Sequence, residues 1–302
     1  MRDVDGKVAV ITGGASGIGL AMAERFGQEG MKLVIADIQE DAIAGAVAAL
    51  ADRGFEALGV RTDVTSYSDV ELLAQRTLEA FGKVHVLVNN AGVSITGPTW
   101  KMSLDDWRWV LDVNLWGVVH GVKAFTQILI DQGEPAHIVN TASLAAFVGI
   151  GEHAPYCASK AACLSISQSL RSELIAANTQ VGVSVVCPGM VATDIHRSWR
   201  NRPAGHQPWS DREWSDEEFR KNSDAFQGAG VSAQAIAEAT LDAIVNDRFY
   251  VFYGEGVPAY LATLLMPILK AEEPPLITWG PDLRQESSTT PTTGAAGLPG
   301  GI

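Results

Sequence analysis

The sequence predicts an α/β fold built as one doubly wound parallel sheet, and three observations predict it. Between positions 8 and 187, short and nearly continuous apolar runs alternate with longer stretches whose apolar residues recur at helical spacing. Such runs suit strands buried on both faces, as in a parallel sheet covered by helices. A glycine-rich turn, residues 12–19, follows the first run at once. The runs also end on glycine, proline or polar residues: Gly13, Asp37, Asp63, Asn89, Ser143 and Pro188. Ligands of open α/β sheets bind beyond the carboxyl ends of the strands, so these residues are expected to line one crevice.

Residues 8–11 make the first strand, and Leu20, Ala21, Ala23 and Phe26 give the next helix its apolar face. The turn between them reads TGGASGIG. Gly13, Gly17 and Gly19 let the backbone approach a pyrophosphate, with Ser16 and Ile18 at the start of a helix whose free N–H groups and dipole favour an anion. The spacing is a variant of the Rossmann fingerprint, not the fingerprint itself. Residues 32–36 form the second strand and end in Asp37, where a carboxylate can accept hydrogen bonds from an adenosine ribose. That carboxylate repels a 2′-phosphate, and neither Ser16 nor Ile38 supplies a cation, so NAD is expected over NADP. Asp37 also stands where it would cap a helix starting near Gln39. Residues 55–62 are the third strand, closing on Asp63 and Val64, and Tyr67–Phe81 is the helix after it. Residues 84–88 form the fourth strand, which runs into Asn89, Asn90, Ala91 and Gly92. One or two helices are expected over 106–132, with Asn114 inside DVNLWGV. The fifth strand begins at 137–140, a helix carrying Tyr156 continues to about Ala177, and residues 183–187 make a sixth strand stopped by Pro188-Gly189. A helix over 232–245 and a last strand over 249–253 complete the sheet. There is no internal repeat.

The chemistry centres on Ser143, Tyr156 and Lys160. A helix through the last two puts them on one face, four residues apart. A free phenol titrates near about 10, and a neighbouring ammonium favours the phenolate, which would make Tyr156 a general acid/base at neutral pH. Ser143, just beyond an apolar strand, is placed to donate a hydrogen bond to a substrate oxygen. Composition narrows the partners. The 302 residues carry a formal net charge of -13, which argues against nucleic acid and anionic membranes. Three cysteines without metal spacing suit a reducing cytoplasm, and six histidines without ligand pairing give no sign of a metal. The opening residues lack a long apolar leader, and the apolar run 259–269 is too short to span a bilayer, so a cytoplasmic protein is expected.

With TGGASGIG, NNAG at 89–92, Asn114, Ser143, YCASK at 156–160 and PGMVAT at 188–193 all in order, the chain resembles the short-chain dehydrogenase/reductase family. The resemblance covers roughly residues 4–193 and the last strand. It implies a Rossmann-like single domain that interconverts a secondary alcohol and a ketone with a nicotinamide cofactor. Ser143 would steady the substrate oxygen and Tyr156 would exchange the proton. Lys160 would bind the nicotinamide ribose and depress the tyrosine pKa, and Asn114 would hold a water in a proton relay. The resemblance places Asp63 and Val64 at the adenine, and Asn90, Ala91 and Gly92 on the adenosine side. Pro188, Gly189, Val191 and Thr193 fall in its last cofactor motif, with Thr193 at the carboxamide. Relatives are commonly tetramers, so a homo-oligomer, tetramer or dimer, is expected.

The C-terminal third departs from that pattern. We expect a catalytic domain over 1–256, a helical substrate lid at about 195–230, a helical extension over 257–284 and a disordered tail over 285–302. The lid carries Trp199, Trp209, Trp214, Phe219 and Phe226, with a solvated helix expected near 211–221. His153 reads as a pocket-wall residue, and Trp199 and Trp209 as substrate contacts. Aromatic rings there suit a bulky apolar alcohol, aryl, alicyclic or terpenoid. Two rivals remain: an NADP-using ketoreductase of acyl-chain biosynthesis, and a binding protein that senses NAD without turnover.

Overall fold

The protein is described by a computed structural model over residues 1–208, 231–254, 256–274 and 277. Its strands are β1 (Val8–Thr12), β2 (Lys32–Asp37), β3 (Ala57–Arg61), β4 (Val86–Asn89), β5 (Ala136–Thr141), β6 (Val181–Val186) and β7 (Tyr250–Val251). They form one parallel sheet in the order β3-β2-β1-β4-β5-β6-β7. The order reverses between β1 and β4, and that switch point opens a crevice at the carboxyl ends of the two strands.

Alternation along each strand assigns its residues to one face or the other. Ala9 and Ile11 of β1 join a core with Met22 and Phe26 of α1 (Gly17–Gln28), Leu50 of α2 (Glu40–Asp52) and Ile236 and Ile244 of α7 (Ala233–Asn246). Val8 and Val10 face the other way, against Leu73 of α3 (Tyr67–Phe81), Phe125 and Leu129 of α5 (Gly117–Asp131) and Leu174 of α6 (Ala154–Ala176). Phe26 and Phe125 are wholly buried, one in each layer, and truncating either to alanine would cost about 3–5 kcal/mol. A smaller cluster lies beneath α8 (Val257–Lys270), where Val257, Leu261 and Leu264 pack on Leu144, Cys163, Val185 and Cys187.

The expected fold class is what the structure shows, with the element ends adjusted. The helix Tyr67–Phe81 lies where it was expected, because Ser66 caps it through the Asp69 amide and Gly82 ends it in the left-handed conformation. The segment 106–132 is α4 (Leu104–Leu111), a π-helical turn (Asp112–Trp116) and α5 in unbroken succession. The last strand is shorter than read, holding only Tyr250 and Val251 against β6. Asp37 does not cap α2 in the expected way: Gln39 occupies the cap position without a side-chain bond, while Asp37 Oδ1 accepts from the Gln39 amide at 3.2 Å.

After β6 the chain passes a 3₁₀ segment (Asp194–Asn201) and docks on α4, where Arg202 pairs with buried Asp106 and its guanidinium lies 4.9 Å from the Trp109 ring centroid. The expected helix near 211–221, Trp209, Trp214, Phe219, Phe226 and the tail 285–302 lie outside the described residues. No described helix is long and apolar enough to cross a membrane.

Candidate active site

The glycine turn is built as an anion cradle. Gly13 sits at φ 61°, where a side chain is strained, and a Cβ there would stand 2.9 Å from Ala91 Cα. A Cβ on Gly19 would lie 2.2 Å from the Gly13 carbonyl oxygen. Helix α1 begins behind this turn at Ser16, which makes no side-chain cap, and its first turn holds no acid. Neither a cap at Ser16 nor an acid in the first turn answers its amide donors, which fits a pyrophosphate. Thr12 and Asn90 hold the turn against β4. The Thr12 hydroxyl accepts from the amides of Asn90 (2.9 Å) and Ala91 (3.1 Å), and Asn90 Nδ2 donates to the carbonyls of Thr12 (3.1 Å) and Gly13 (3.3 Å). The Thr193 methyl closes the far side, 3.3 Å from where a Cβ on Gly17 would be.

On the β2 side, Asp37 is half-buried and its Oδ2 accepts from the Ala15 amide at 3.4 Å, so the carboxylate leans over the turn. The neighbouring Ile38 is 38% exposed and brings no cation. Asp63 turns its carboxylate to the backbone and hydroxyl of Thr65 (2.9 and 2.7 Å). Val64 is buried, and its carbonyl accepts from His120 at 2.8 Å. Beyond β6, the Pro188 carbonyl accepts from the Leu144 amide at 2.9 Å, Leu144 Cδ1 stands 3.4 Å from where a Cβ on Gly189 would be, and Val191 bridges Val231.

The four residues read as catalytic come together at the ends of β4 and β5. Asn114 is wholly buried in the π turn, a distortion that recurs at functional sites. Its Oδ1 accepts from the Val93 amide (2.8 Å), and its Nδ2 donates to the Val93 carbonyl (2.9 Å) and to Ser159 Oγ (3.1 Å). Gly92 borders both groups: a Cβ there would stand 3.5 Å from Asn114 Oδ1 and 3.6 Å from Lys160 Nζ. Lys160 is 3% exposed and donates to the Thr141 carbonyl at 2.8 Å. Its ammonium lies 5.6 Å from the centroid of the Tyr156 ring, on the same helical face. Burial pushes its pKa down.

One expectation is corrected here. The Tyr156 phenol is pushed up to about 12, chiefly by burial, with a hydrogen bond from Ser143 opposing the rise. The Lys160 ammonium is committed to Thr141 and stands over the ring, so desolvation prevails over any lowering by the lysine. Ser143 has a single proton to give. Its hydroxyl accepts from the Ala145 amide at 3.1 Å and lies 3.3 Å from the Pro188 carbonyl, so the phenol and that carbonyl compete for its donation.

His153 stands at the N-cap of α6, half-buried, with Nδ1 3.1 Å from the Gly151 carbonyl and Nε2 3.2 Å from Thr96 Oγ1. Nδ1 donates to that carbonyl, and burial lowers the pKa of the ring. Trp199 is 62% exposed on the segment that Ser198 ties to the Ser94 amide, and is not packed into the body. Trp209 lies outside the described residues. Sequence reading missed Ser159, whose hydroxyl donates to the Tyr156 carbonyl (2.7 Å) and so joins Asn114 to the tyrosine helix; it also missed Thr12 and Thr141. The only signal for Ser159 was a small polar residue between Tyr156 and Lys160. Among the described residues there is no acid, histidine and cysteine cluster able to hold a metal.

Known proteins share the sequence pattern and the fold. The family model for short chain dehydrogenases matches residues 7–204. The 1-deoxy-11-beta-hydroxypentalenate dehydrogenase of Streptomyces avermitilis is 39% identical over 246 residues, 81% of this chain and 83% of that protein. The C alpha-dehydrogenase of Sphingobium sp. is 32% identical over 296 residues, 93% of this chain and 96% of that protein. A solved short chain dehydrogenase/reductase from Burkholderia phymatum, in complex with NAD, superposes with a TM-score of 0.86 at 41% identity, covering 91% of this chain and 98% of that one.

Proposed function

The chain belongs to the short-chain dehydrogenase family, and on that premise we propose that it interconverts a secondary alcohol and a ketone with NAD. The observation that carries the reading is the meeting of Ser143, Tyr156, Lys160 and Asn114 beside a glycine cradle whose helix N-terminus has no side-chain cap and no acid in its first turn. NAD, when bound, supplies the nicotinamide ring that takes or gives hydride. Gly13, Gly17, Gly19 and the α1 amides would hold its pyrophosphate. Asp37 would receive the adenosine ribose, and Thr193 borders the same cradle. NAD rather than NADP is supported by Asp37, by the absence of a cation at Ile38, and by the NAD complex of the Burkholderia relative.

The protein's own work is position and protonation. Ser143 Oγ donates to the substrate oxygen in place of the Pro188 carbonyl. Tyr156, a neutral phenol in the ligand-free protein, is ready to protonate that oxygen in reduction and must lose its proton before it can accept one in oxidation. Lys160, its ammonium 5.6 Å from the Tyr156 ring, lessens the cost of a phenolate without outweighing desolvation in the ligand-free protein, and Asn114, joined to Ser159, stands with it beside Gly92, where a proton path would begin. The substrate we favour is bulky and apolar, an aryl, alicyclic or terpenoid alcohol. The exposed Trp199 ring supports this, as does the hydroxypentalenate in the name of the Streptomyces relative.

A panel of secondary alcohols with NAD or NADP, followed by absorbance of the reduced cofactor, tests the reading. Turnover of bulky alcohols with NAD is expected. Equal efficiency with NADP would support the ketoreductase rival, and NADH binding without turnover across the panel would support the sensor.

A further inference from the structure

The stretch between Ser143 and Tyr156 sets the distance between the substrate's hydrogen-bond donor and its acid/base, and it has little regular structure of its own. After a 3₁₀ turn (Leu144–Ala146), residues 147–153 run to the cap of α6. Glu152 sits at φ 64°, a strained conformation for a residue with a side chain, which lasts only when its surroundings hold it. One hold comes from the loop after β4: the Gly97 amide donates to the Glu152 carbonyl at 2.9 Å, and Thr96 meets His153 at 3.2 Å. The other comes from the far end of the chain. The Gly151 amide donates to the Ile277 carbonyl at 2.8 Å, and the Ile277 side chain packs on the cluster that holds Leu144, Phe147, Val148, Val257 and Leu261. Val257, Leu261 and Leu264 of helix α8 pack into the same cluster.

We propose that Ile277 is a specificity-determining positioning residue, whose carbonyl and side chain fix the loop between Ser143 and Tyr156 as a wall of the substrate pocket. This rests on the alcohol dehydrogenase reading above. A small alcohol needs only Ser143 and Tyr156, whereas a bulky one also needs the wall.

Ile277→Asp puts a charge into the apolar cluster, and Ile277→Ser is a milder second variant should the first fail to fold. In either, kcat/KM for 1-phenylethanol is expected to fall about tenfold or more relative to 2-propanol, as misplacement of a positioning wall does. NADH affinity should be unchanged, and Ile277→Val should restore the ratio. Hydrogen exchange of the ligand-free protein is expected to quicken in residues 147–153 and not in β4 or β5. Unchanged exchange in that loop would overturn the proposal. So would an equal loss for both alcohols, or quickened exchange spreading through the sheet, either of which would make Ile277 merely structural. If the unmutated protein oxidises no alcohol, the functional reading fails, and the exchange result alone still decides whether Ile277 holds the loop.

Discussion

Tyr156 shows how two neighbouring residues can be read correctly as a pair and wrongly as a balance of forces. Their spacing was legible, because four residues on a helix make one face; the surroundings of the two side chains were not, and desolvation sets the direction of the phenol. In the ligand-free protein a difference titration against Tyr156→Phe should therefore show no phenolate from Tyr156 below about pH 10, the ordinary value for a free phenol. A phenolate signal near neutrality would mean that Lys160 prevails after all. With cofactor and substrate, Tyr156→Phe should lower kcat by at least about a hundredfold while NADH still binds. Retention of most of the rate would remove Tyr156 from the chemistry. Asp37 was legible too, since its place at a strand end follows from the apolar run before it. Efficiency with NAD should exceed that with NADP by at least about tenfold, about 1.4 kcal/mol, and Asp37→Ala with Ile38→Arg should narrow the gap. Ser159 was beyond reach, because its importance lies in a contact with a residue 45 positions away.

At the scale of elements, legibility followed how local the cause was. Helix α3 is bounded by its own Ser66 and Gly82, and its ends were read without error. The π turn at Asn114 has no local signature; it depends on bonds from the buried amide to Val93 and Ser159, both distant in sequence. The shortened last strand has the same character, since its length is set by how far β6 runs beside it. The glycine turn was legible as a motif, and the structure adds why no other residue serves. Gly19→Ala places a methyl 2.2 Å from the Gly13 carbonyl oxygen, so the turn must open just where the α1 amides converge. NADH affinity is expected to fall at least about tenfold, the scale of one lost charge-assisted hydrogen bond. Calorimetry that found unchanged affinity would show that the cradle is not the binding site.

For the whole molecule, the sheet has a second end, away from the site, about which composition said little. The end opposite the site holds histidines that the sequence offered merely as residues without ligand spacing. His137 is 1% exposed in β5, its Nε2 2.7 Å from Ser184 Oγ, which in turn donates to the Arg248 carbonyl at 2.5 Å. Burial holds its pKa down to about 3, against the pull of Asp247, itself paired with Arg171. His85 is buried as well, accepting at Nδ1 from the Val8 amide (3.1 Å) and meeting Glu134 at Nε2 (3.2 Å), a carboxylate that Lys7 and Lys83 also face; burial lowers its pKa. Burial thus disfavours the charged form of both rings in the folded protein, whereas in the unfolded chain they protonate below about 6.5. The unfolded state binds more protons in that window, so stability is fully present above about pH 6.5 and is lost as pH falls toward the folded values. The slope is at most about 1.4 kcal/mol per pH unit for each histidine. Glu134 and Asp247, both with depressed pKa values, add losses of the same sign at lower pH, below the ordinary carboxylate range. Urea unfolding from pH 7 to pH 5 should therefore show a falling free energy before the carboxylates titrate. His137→Gln, less stable at pH 7 for want of the imidazole, should show a shallower slope over that window. An equal slope in the variant would mean that His137 does not carry the pH dependence of the fold.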